Sequence, residues 1–432
     1  MDLSHLMLER LSGMVDEVLI EAAREALNKV QAVWHRIDER AGANQWKVVE
    51  AFRQVGVRES DLAPSTGYGY GDTGRTKLEE IFAILMGAQA ALVRPHMISG
   101  TQAIAVALFA LLRPGDTLVS LTGDPYDSLK PVIGMDGPSP GSLKDFGISY
   151  RQVELTPEGE PDLEAIRLAA AEATVCLLQR SRGYSWRNPL NVEALGLAIA
   201  AAKEINPDAV CVVDNCYGEL VEEREPGQVG ADLVAGSLIK NPGGGLATSG
   251  GYLAGKEDYV ERAAQRLYAP GTGRQIGAML GTTRELMQGL FMAPRAVAES
   301  LKGATFAACL FANLGFPVAP RYDQDRTDII QAIGLGSREA VLAFCRGIQK
   351  AGPLDTHLRP EAGQMPGYAD PLVMAGGSFV QGSTIELSAD APLRPPYTVY
   401  LQGGLAREHV IGATLLAAQE MLDNGELKLT RR

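Results

Sequence analysis

The sequence has 432 residues, 46% hydrophobic and 21% charged, with a formal net charge of −12. This composition is typical of a folded globular protein and argues against a disordered chain. The acidic balance and the absence of a dense Lys/Arg block argue against nucleic-acid binding. The amino terminus lacks a signal-peptide pattern, and no apolar run approaches the ~20 residues that span a bilayer. We therefore expect a cytoplasmic protein without membrane contact.

The cysteines and histidines predict neither disulfides nor a metal site. The cysteine count is odd and no C-x-x-C spacing occurs, so buried, reduced thiols are expected. The histidines are dispersed, and no His/Asp/Glu cluster has metal-ligand spacing. The cysteines are Cys176, Cys211, Cys216, Cys309 and Cys345.

The first ~60 residues predict helix. Leu19, Ala23, Ala26, Val30 and Val33 recur at steps of four and three, as one face of a helix requires. A glycine-rich stretch over 65–74 interrupts this pattern, and helix is expected again over 76–85.

From about residue 88 to 255, short apolar strands alternate with helices, which implies a mainly parallel sheet covered on both faces. Beyond about residue 295 a long helical stretch and a mixed region follow. We therefore predict a helical segment at 1–60, a large domain at 61–295 and a smaller domain at 296–432. The predicted strands are Ala90–Val93, Thr117–Leu121, Ser149–Val153, Thr174–Leu178, Val210–Val213, Leu233–Ser237 and Tyr252–Ala254. The predicted helices among them are Thr101–Leu112, Leu163–Ala171 and Val192–Lys203.

A candidate phosphate-binding loop, Ser99-Gly100-Thr101, follows a strand and opens a helix. Free backbone N–H groups and the helix dipole at such a point favour an anion, and glycine allows its close approach. The alternative is that Ser99 only caps the helix.

Asp214 and Lys240 follow two strands and are separated by 26 positions. Asp214 needs a partner for its partly buried carboxylate, which a protonated pyridine nitrogen would supply. Lys240 suits a nucleophilic amine held in a shielded pocket. Ser237, three residues earlier, could reach the same phosphate. Taken singly, Asp214 could instead cap a turn and Lys240 could be an ordinary loop lysine.

Tyr126, in Gly123-Asp124-Pro125-Tyr126, follows a strand 26 residues after Gly100 and could stack on an aromatic ring. It could equally be a turn tyrosine with no role. The order of phosphate loop, tyrosine, strand-end aspartate and lysine nevertheless predicts pyridoxal 5′-phosphate (PLP), held by Lys240 as a Schiff base.

These motifs resemble the methionine γ-lyase-like family, often labelled aluminium-resistance proteins, which is related to the cystathionine and methionine lyases. The resemblance covers nearly the whole chain. Its motifs are Ser99-Gly100-Thr101, Gly123-Asp124-Pro125-Tyr126, Val213-Asp214-Asn215-Cys216-Tyr217-Gly218-Glu219, Ser237-Leu238-Ile239-Lys240-Asn241-Pro242-Gly243-Gly244, Tyr68-Gly69-Tyr70-Gly71-Asp72-Thr73-Gly74-Arg75, Arg180-Ser181-Arg182-Gly183-Tyr184 and Pro396-Tyr397-Thr398-Val399-Tyr400-Leu401-Gln402-Gly403-Gly404.

The resemblance implies an α/β fold of the fold-type I, aspartate aminotransferase-like class, with a smaller α+β carboxy-terminal domain. It implies a homodimer or homotetramer in which a tyrosine from the neighbouring subunit completes the phosphate site. Tyr70 is the candidate for that tyrosine. The arginine that accompanies it in the related lyases follows two residues on, where this chain has Asp72, so Arg75 is a weaker candidate. The implied roles of the other residues are proton transfer by Lys240, ring pairing by Asp214, ring stacking by Tyr126, and phosphate binding by Ser99, Gly100, Thr101 and Ser237.

Arg394 occupies the region where such lyases bind the substrate carboxylate, and Arg182 is the alternative. Gln102 departs from the histidine expected after Ser-Gly-Thr in much of the family, which could alter reactivity. The glycine-rich segment Tyr268–Arg274 is a further candidate cofactor or interface loop.

The predicted activity is a PLP-dependent carbon–sulfur lyase that eliminates a thiol from a sulfur amino acid such as methionine, homocysteine or cystathionine. Two alternatives share the cofactor motifs. One is another PLP reaction, such as transamination or aldol cleavage. The other is a PLP-binding stress protein with little turnover.

Overall fold

A computed structural model describes residues 3–135, 137 and 139–429 of the chain. It divides into two compact units. The larger unit comprises Ala43–Gly183 and Pro189–Pro294, and the smaller unit comprises Met1–Gly42, Tyr184–Asn188 and Arg295–Arg432. The domain boundaries expected from the sequence, at residues 60 and 295, stay a prediction.

The larger unit is built on a seven-stranded sheet with the order β1-β7-β6-β5-β4-β2-β3. Strand β7 runs antiparallel to both of its neighbours, and the other neighbouring pairs are parallel. The mainly parallel sheet predicted from the sequence is therefore confirmed. Its strands are β1 (Ala90–Arg94), β2 (Thr117–Ser120), β3 (Ser149–Gln152), β4 (Val175–Gln179), β5 (Val210–Asp214), β6 (Leu233–Ser237) and β7 (Gly251–Gly255).

Helices cover both faces of this sheet. Because successive residues of a strand point to opposite faces, adjacent residues pack against different helices. Val212 packs in the apolar cluster that contains helices α4 and α8, whereas the adjacent Val213 packs in the cluster that contains α6 and α7. Both faces are thus buried, which explains why the central strands are continuous apolar runs. The helices that belong wholly to this unit are α3 (Thr73–Met86), α4 (Gly100–Leu111), α5 (Lys130–Ile133), α6 (Leu163–Ala170), α7 (Val192–Ile205) and α8 (Glu257–Leu267).

The smaller unit is α+β, as predicted. Its five-stranded sheet has the order β10-β11-β12-β9-β8, and every pairing is antiparallel. The strands are β8 (Val318–Ala319), β9 (Ile330–Gly334), β10 (Leu372–Gly376), β11 (Ser388–Pro392) and β12 (Thr398–Gln402), with helices α1 (Leu3–Leu11), α10 (Arg338–Lys350) and α11 (Arg407–Asp423). Two long helices, α2 (Glu17–Val55) and α9 (Thr283–Asn313), supply residues to both units.

The element boundaries differ little from those predicted, with one larger departure. The long helix expected near residue 295 begins at Thr283 and continues through Pro294. The proline and the shift in composition near it suggested a boundary there, but the buried apolar residues Leu286, Met287 and Leu290 already form the first turns of the helix. The order of strands and helices over 90–255 is otherwise as predicted.

All five cysteines are buried and free, in agreement with the prediction from their spacing. Among the described residues, no helix has both the length and the apolarity needed to cross a membrane.

Candidate cofactor site

The predicted phosphate loop lies at the amino terminus of helix α4. Ser99 caps the helix, its side chain accepting a hydrogen bond from the Gln102 amide at 3.1 Å. A methyl group at Gly100 would lie 2.9 Å from Cys216 Sγ and 3.4 Å from Ser237 Cβ. The loop is therefore packed directly against the residues that follow β5 and end β6, and only glycine fits there.

Two further side chains complete this loop. The hydroxyls of Thr101 and Ser128 share a hydrogen bond of 2.6 Å. The Gln102 side chain accepts a hydrogen bond from the Ile98 amide at 2.8 Å, so it helps to fold the segment that leads into the loop. Ser128 was missed by the sequence analysis because it lies 27 positions beyond Thr101, in a short helical turn without a recognisable motif.

Asp214 is the last residue of β5 and is buried. One of its carboxylate oxygens, Oδ1, accepts a hydrogen bond from the Cys216 amide at 3.1 Å. In the register of the parallel sheet Asp214 lies beside Gln179, the last residue of β4. The Gln179 side chain accepts a hydrogen bond from the Tyr126 amide at 2.7 Å, so Tyr126 is tied to the strand end that neighbours Asp214.

Lys240 follows β6, and its Nζ lies 3.7 Å from the centre of the Tyr217 ring. Tyr217 is held in the left-handed region at φ 72°. Asn241, the residue after Lys240, donates hydrogen bonds of 2.9 Å to the carbonyls of Tyr217 and Glu219. The lysine and the turn after Asp214 are thus packed together, although 26 residues separate Asp214 from Lys240.

The surroundings of Lys240 favour its charged form. Burial lowers the pKa of the amine, but Tyr217, Cys216 and Asp214 raise it, and the net direction is upward. Burial also raises the pKa of the Cys216 thiol well above its ordinary value, so that side chain stays neutral. Asp214 is the carboxyl group among the neighbours that raise the pKa of Lys240.

The buried hydroxyl of Ser237 indicates that a phosphate group would fit at this site. Its side chain is 1% exposed, and its Oγ has no hydrogen-bond partner among the described residues. A buried hydroxyl is seldom left in this way, because it loses its bonds to water without replacement. Its position beside Gly100, at the opening of helix α4, fits a hydroxyl that donates to a bound phosphate.

Tyr70 is 73% exposed and stacks on the ring of Tyr68, with 5.3 Å between the ring centres. Arg75 is buried and donates to the carbonyls of Gly69 and Gly277 at 3.0 and 2.9 Å. The guanidinium of Arg75 therefore fixes the loop that presents Tyr70 and is already used within its own chain.

The segment Tyr268–Arg274 is anchored next to strand β1. The Tyr268 hydroxyl is hydrogen-bonded to His96 Nδ1 at 3.1 Å, and Arg94 donates to the Arg274 carbonyl at 3.1 Å. The segment is thus connected to His96, three residues before Ser99. No contact places it against Lys240 in the described residues.

The two candidate carboxylate-binding arginines differ in their surroundings. Arg394, in the smaller unit, forms an ion pair of 2.7 Å with Asp370, and both side chains are partly exposed. Arg182, in the larger unit, is buried. The guanidinium of Arg394 thus already has one carboxylate partner.

Comparison with solved structures identifies the fold. A structure described as a carbon–sulfur lyase involved in aluminium resistance, from Clostridium novyi NT, is 42% identical, with a TM-score of 0.91, covering 96% of this chain and 98% of its own. The PLP-dependent protein YhfS from Escherichia coli is 18% identical, with a TM-score of 0.59 over 88% of this chain and 95% of its own, and shares the fold. The predicted fold-type I class is therefore confirmed.

Comparison with sequences gives the same assignment. The uncharacterized protein YnbB from Bacillus subtilis is 47% identical over 94% of this chain and 97% of its own length. The family model for methionine gamma-lyase matches residues 19–422. The resemblance drawn from the motifs is confirmed over nearly the whole sequence, and the chain belongs to the methionine gamma-lyase family.

Proposed function

We propose that the chain is a PLP-dependent carbon–sulfur lyase that eliminates a thiol from a sulfur-containing amino acid. The observation that carries the proposal is the packing of the Lys240 amine against the ring of Tyr217, in the turn that follows Asp214. Family membership and the resemblance to a structure described as a carbon–sulfur lyase support the reaction class.

The residues of this site have distinct roles in the proposal. When bound, PLP supplies an electron-accepting ring that makes the substrate Cα–H acidic. Asp214 would pair with the ring nitrogen, Tyr126 would stack on the ring, and Ser99, Gly100, Thr101 and Ser237 would hold the phosphate. Lys240 removes the Cα proton and delivers a proton where the C–S bond breaks. The sulfur leaves as a thiol, and one water is consumed as ammonia and a 2-oxo acid are released.

Substrate orientation in this proposal needs a cation for the α-carboxylate. A guanidinium binds a carboxylate through two parallel hydrogen bonds, which fixes its plane. Arg394 is the proposed residue, with Arg182 as the alternative. An Arg394→Lys variant should raise KM more than it lowers kcat if Arg394 has this role, and an Arg182→Lys variant should then leave KM unchanged.

The proposed enzyme is a homodimer or homotetramer in which Tyr70 reaches the phosphate site of the partner subunit. The large exposure of Tyr70 supports this role, because an aromatic side chain so exposed leaves apolar surface for a partner to cover. Mixing two inactive variants, Lys240→Ala and Tyr70→Phe, should restore part of the activity, since a mixed dimer contains one intact site. No recovery on mixing would place Tyr70 outside the partner's site.

The substrate test is a panel of sulfur amino acids that includes methionine, homocysteine and cystathionine. Purified protein with PLP should release a thiol, ammonia and a 2-oxo acid from at least one of them. The Lys240→Ala variant is the control for non-enzymatic breakdown. Absence of all three products across the panel would contradict the lyase proposal.

The same assay separates the two alternative functions. Transfer of the amino group to an added 2-oxo acid, without thiol release, would indicate a transaminase. A PLP-binding protein that shows no spectral change with any amino acid would indicate a stress-related role with little turnover.

A further inference from the structure

Glu219 is a fully buried carboxyl group five residues after Asp214, and the proposed reaction does not use it. Its Oε1 accepts a hydrogen bond from the Tyr252 hydroxyl at 3.0 Å. Its Oε2 is buried and has no hydrogen-bond partner among the described residues. An ionised oxygen in such a place would have lost its hydration without gaining a donor, so the charged form is disfavoured.

Glu225 is a second buried carboxyl group near Glu219, and it has more hydrogen-bond and ion-pair partners than Glu219. It lies 3.5 Å from Arg180, and it accepts hydrogen bonds from Asn215 at 3.0 Å and from the Leu220 amide at 2.8 Å. Arg180 also pairs with Glu222 at 2.6 Å. The buried cation and most of the donors are therefore committed to Glu222 and Glu225, and Glu219 is left with the Tyr252 hydroxyl and its own backbone amide.

The groups that face Glu219 come from three parts of the larger unit: Tyr252 from β7, Glu225 from the segment after β5, and Lys240 after β6. Burial is the largest influence on the pKa of Glu219 and raises it, and Glu225 adds to that rise. The Glu219 backbone amide, Tyr252 and Lys240 lower it, and the resulting pKa is about 8. Burial also keeps the pKa of Tyr252 well above its ordinary value, so the phenol remains a hydrogen-bond donor.

The backbone of Glu219 is linked to Lys240 through hydrogen bonds from Asn241. Its carbonyl and that of Tyr217 both accept hydrogen bonds from Asn241, the residue next to Lys240. Tyr217 and Leu220, on either side of Glu219, have positive φ angles of 72° and 59°, which only a well-packed turn maintains in residues other than glycine. The turn that carries Glu219 is therefore tied through Asn241 to the residue next to Lys240.

We propose that Glu219 is held as a neutral acid and serves as a positioning residue for Lys240, fixing the 217–220 turn through Tyr252 without adding a second anion beside the amine. An ionised Glu219 would hold Lys240 more firmly as an ammonium ion and so oppose its release as a free amine. The importance of this for turnover rests on the proposed function, whereas the protonation of Glu219 does not.

The first test measures urea unfolding of the full chain as purified, from pH 5 to 9, with the cofactor content of each sample recorded. A carboxyl whose folded-state pKa is raised stabilises the fold fully below its ordinary pKa of 4.5 and loses that contribution as pH rises toward 8. The ratio of unfolding constants, wild type over Glu219→Gln, should therefore rise by about tenfold per pH unit in that window and level off above it.

Glu225→Gln is the matched control, because it removes the charge that pairs with Arg180. It should lower stability across the whole pH range. Glu219→Gln could instead behave like Glu225→Gln, with a lower unfolding free energy at pH 6 and the same dependence of that free energy on pH as wild type. Glu219 would then be ionised, and the proposal would be overturned.

The second test compares Gln and Ala at position 219 in the PLP-loaded enzyme. The amide keeps a neutral group that bonds to Tyr252, so Glu219→Gln should retain kcat while removing the alkaline limb that Glu219 ionisation imposes on the kcat–pH profile. Glu219→Ala should lose kcat at every pH. Equal loss of kcat in both variants would contradict the positioning role. If no amino acid in the panel is a substrate, the unfolding test still decides whether Glu219 is protonated.

Discussion

Gln179 and Asp214 lie side by side at the ends of two neighbouring parallel strands. Through its side chain, Gln179 accepts a hydrogen bond from the Tyr126 amide at 2.7 Å and donates one to the Ser181 carbonyl at 3.0 Å. The proposed stacking tyrosine and the proposed ring-pairing aspartate are thus linked through one residue, Gln179.

Removing this link should weaken cofactor binding. Gln179→Ala removes the hydrogen bonds to the Tyr126 amide and the Ser181 carbonyl, a loss of about 0.5–1.5 kcal/mol for each. We expect a lower unfolding free energy and a higher Kd for PLP, measured by urea titration and fluorescence quenching. Gln152→Ala, on an exposed residue of β3, should change neither. Unchanged PLP affinity in Gln179→Ala would show that Tyr126 is positioned by other contacts.

Ser237 should matter for PLP binding and not for the stability of the cofactor-free chain. Its Oγ has no partner among the described residues, so Ser237→Ala removes no internal hydrogen bond. A hydrogen bond to a phosphate is worth about 1.5–3 kcal/mol, and PLP affinity should fall by that amount. Equilibrium dialysis with PLP measures it.

Ser120 provides the matched control for Ser237, because its buried hydroxyl donates to the Gly123 carbonyl at 2.6 Å. Ser120→Ala should reduce the unfolding free energy by about 1 kcal/mol. If Ser237→Ala lost stability in the same way and bound PLP normally, Ser237 would be a structural residue and the phosphate assignment would fail.

Gly236 should not tolerate a side chain. A methyl group there would lie 2.4 Å from Tyr252 Cε1 and 2.5 Å from Glu219 Oε1. Such overpacking costs about 1–3 kcal/mol, and Gly236→Ala should lower the unfolding free energy accordingly. Gly42, inside helix α2, has nothing within 4 Å of the same methyl, so Gly42→Ala should stabilise the chain by about 0.5–1 kcal/mol. Thermal or urea unfolding of both variants compares them directly.

Arg180 is a buried cation that pairs with Glu222 and Glu225. Arg180→Met would leave Glu225 ionised and buried without its cation, which should cost about 3–5 kcal/mol of unfolding free energy. The pair between Arg167 and Glu204 is exposed, so Arg167→Met should cost less than about 1 kcal/mol. A loss in the Arg180 variant no larger than that in the Arg167 variant would contradict the stabilising role of the buried ion pair.

Much of the fold and the main residues of the site could be predicted because their signals are local. Apolar runs mark most of the strands over 90–255, although β3 is polar. A charged residue at the end of such a run, as at Asp214 or just beyond β6 at Lys240, stands out in the sequence. The glycine of the phosphate loop is required by close packing against Cys216 and Ser237, and its position before a helix made it recognisable.

The supporting residues could not be predicted, because their roles depend on register and packing. Gln179 acquires its role from the strand that lies beside it, and Ser128 from a turn that approaches Thr101. Glu219 and Tyr252 meet only because β7 runs antiparallel beside β6. Arg75 was considered for the phosphate of a partner subunit, since sequence spacing does not reveal that its guanidinium binds carbonyls of its own chain.

Lys240 is the residue on which the account depends, and its replacement by alanine is the most direct test. Lys240→Ala and the control Lys256→Ala, a partly exposed lysine paired with Asp232, should both fold and be loaded with PLP. The visible absorbance of PLP bonded to a lysine amine should be present in wild type and in Lys256→Ala and absent from Lys240→Ala. Persistence of that absorbance in Lys240→Ala would show that another lysine holds the cofactor and would contradict the assignment of the site.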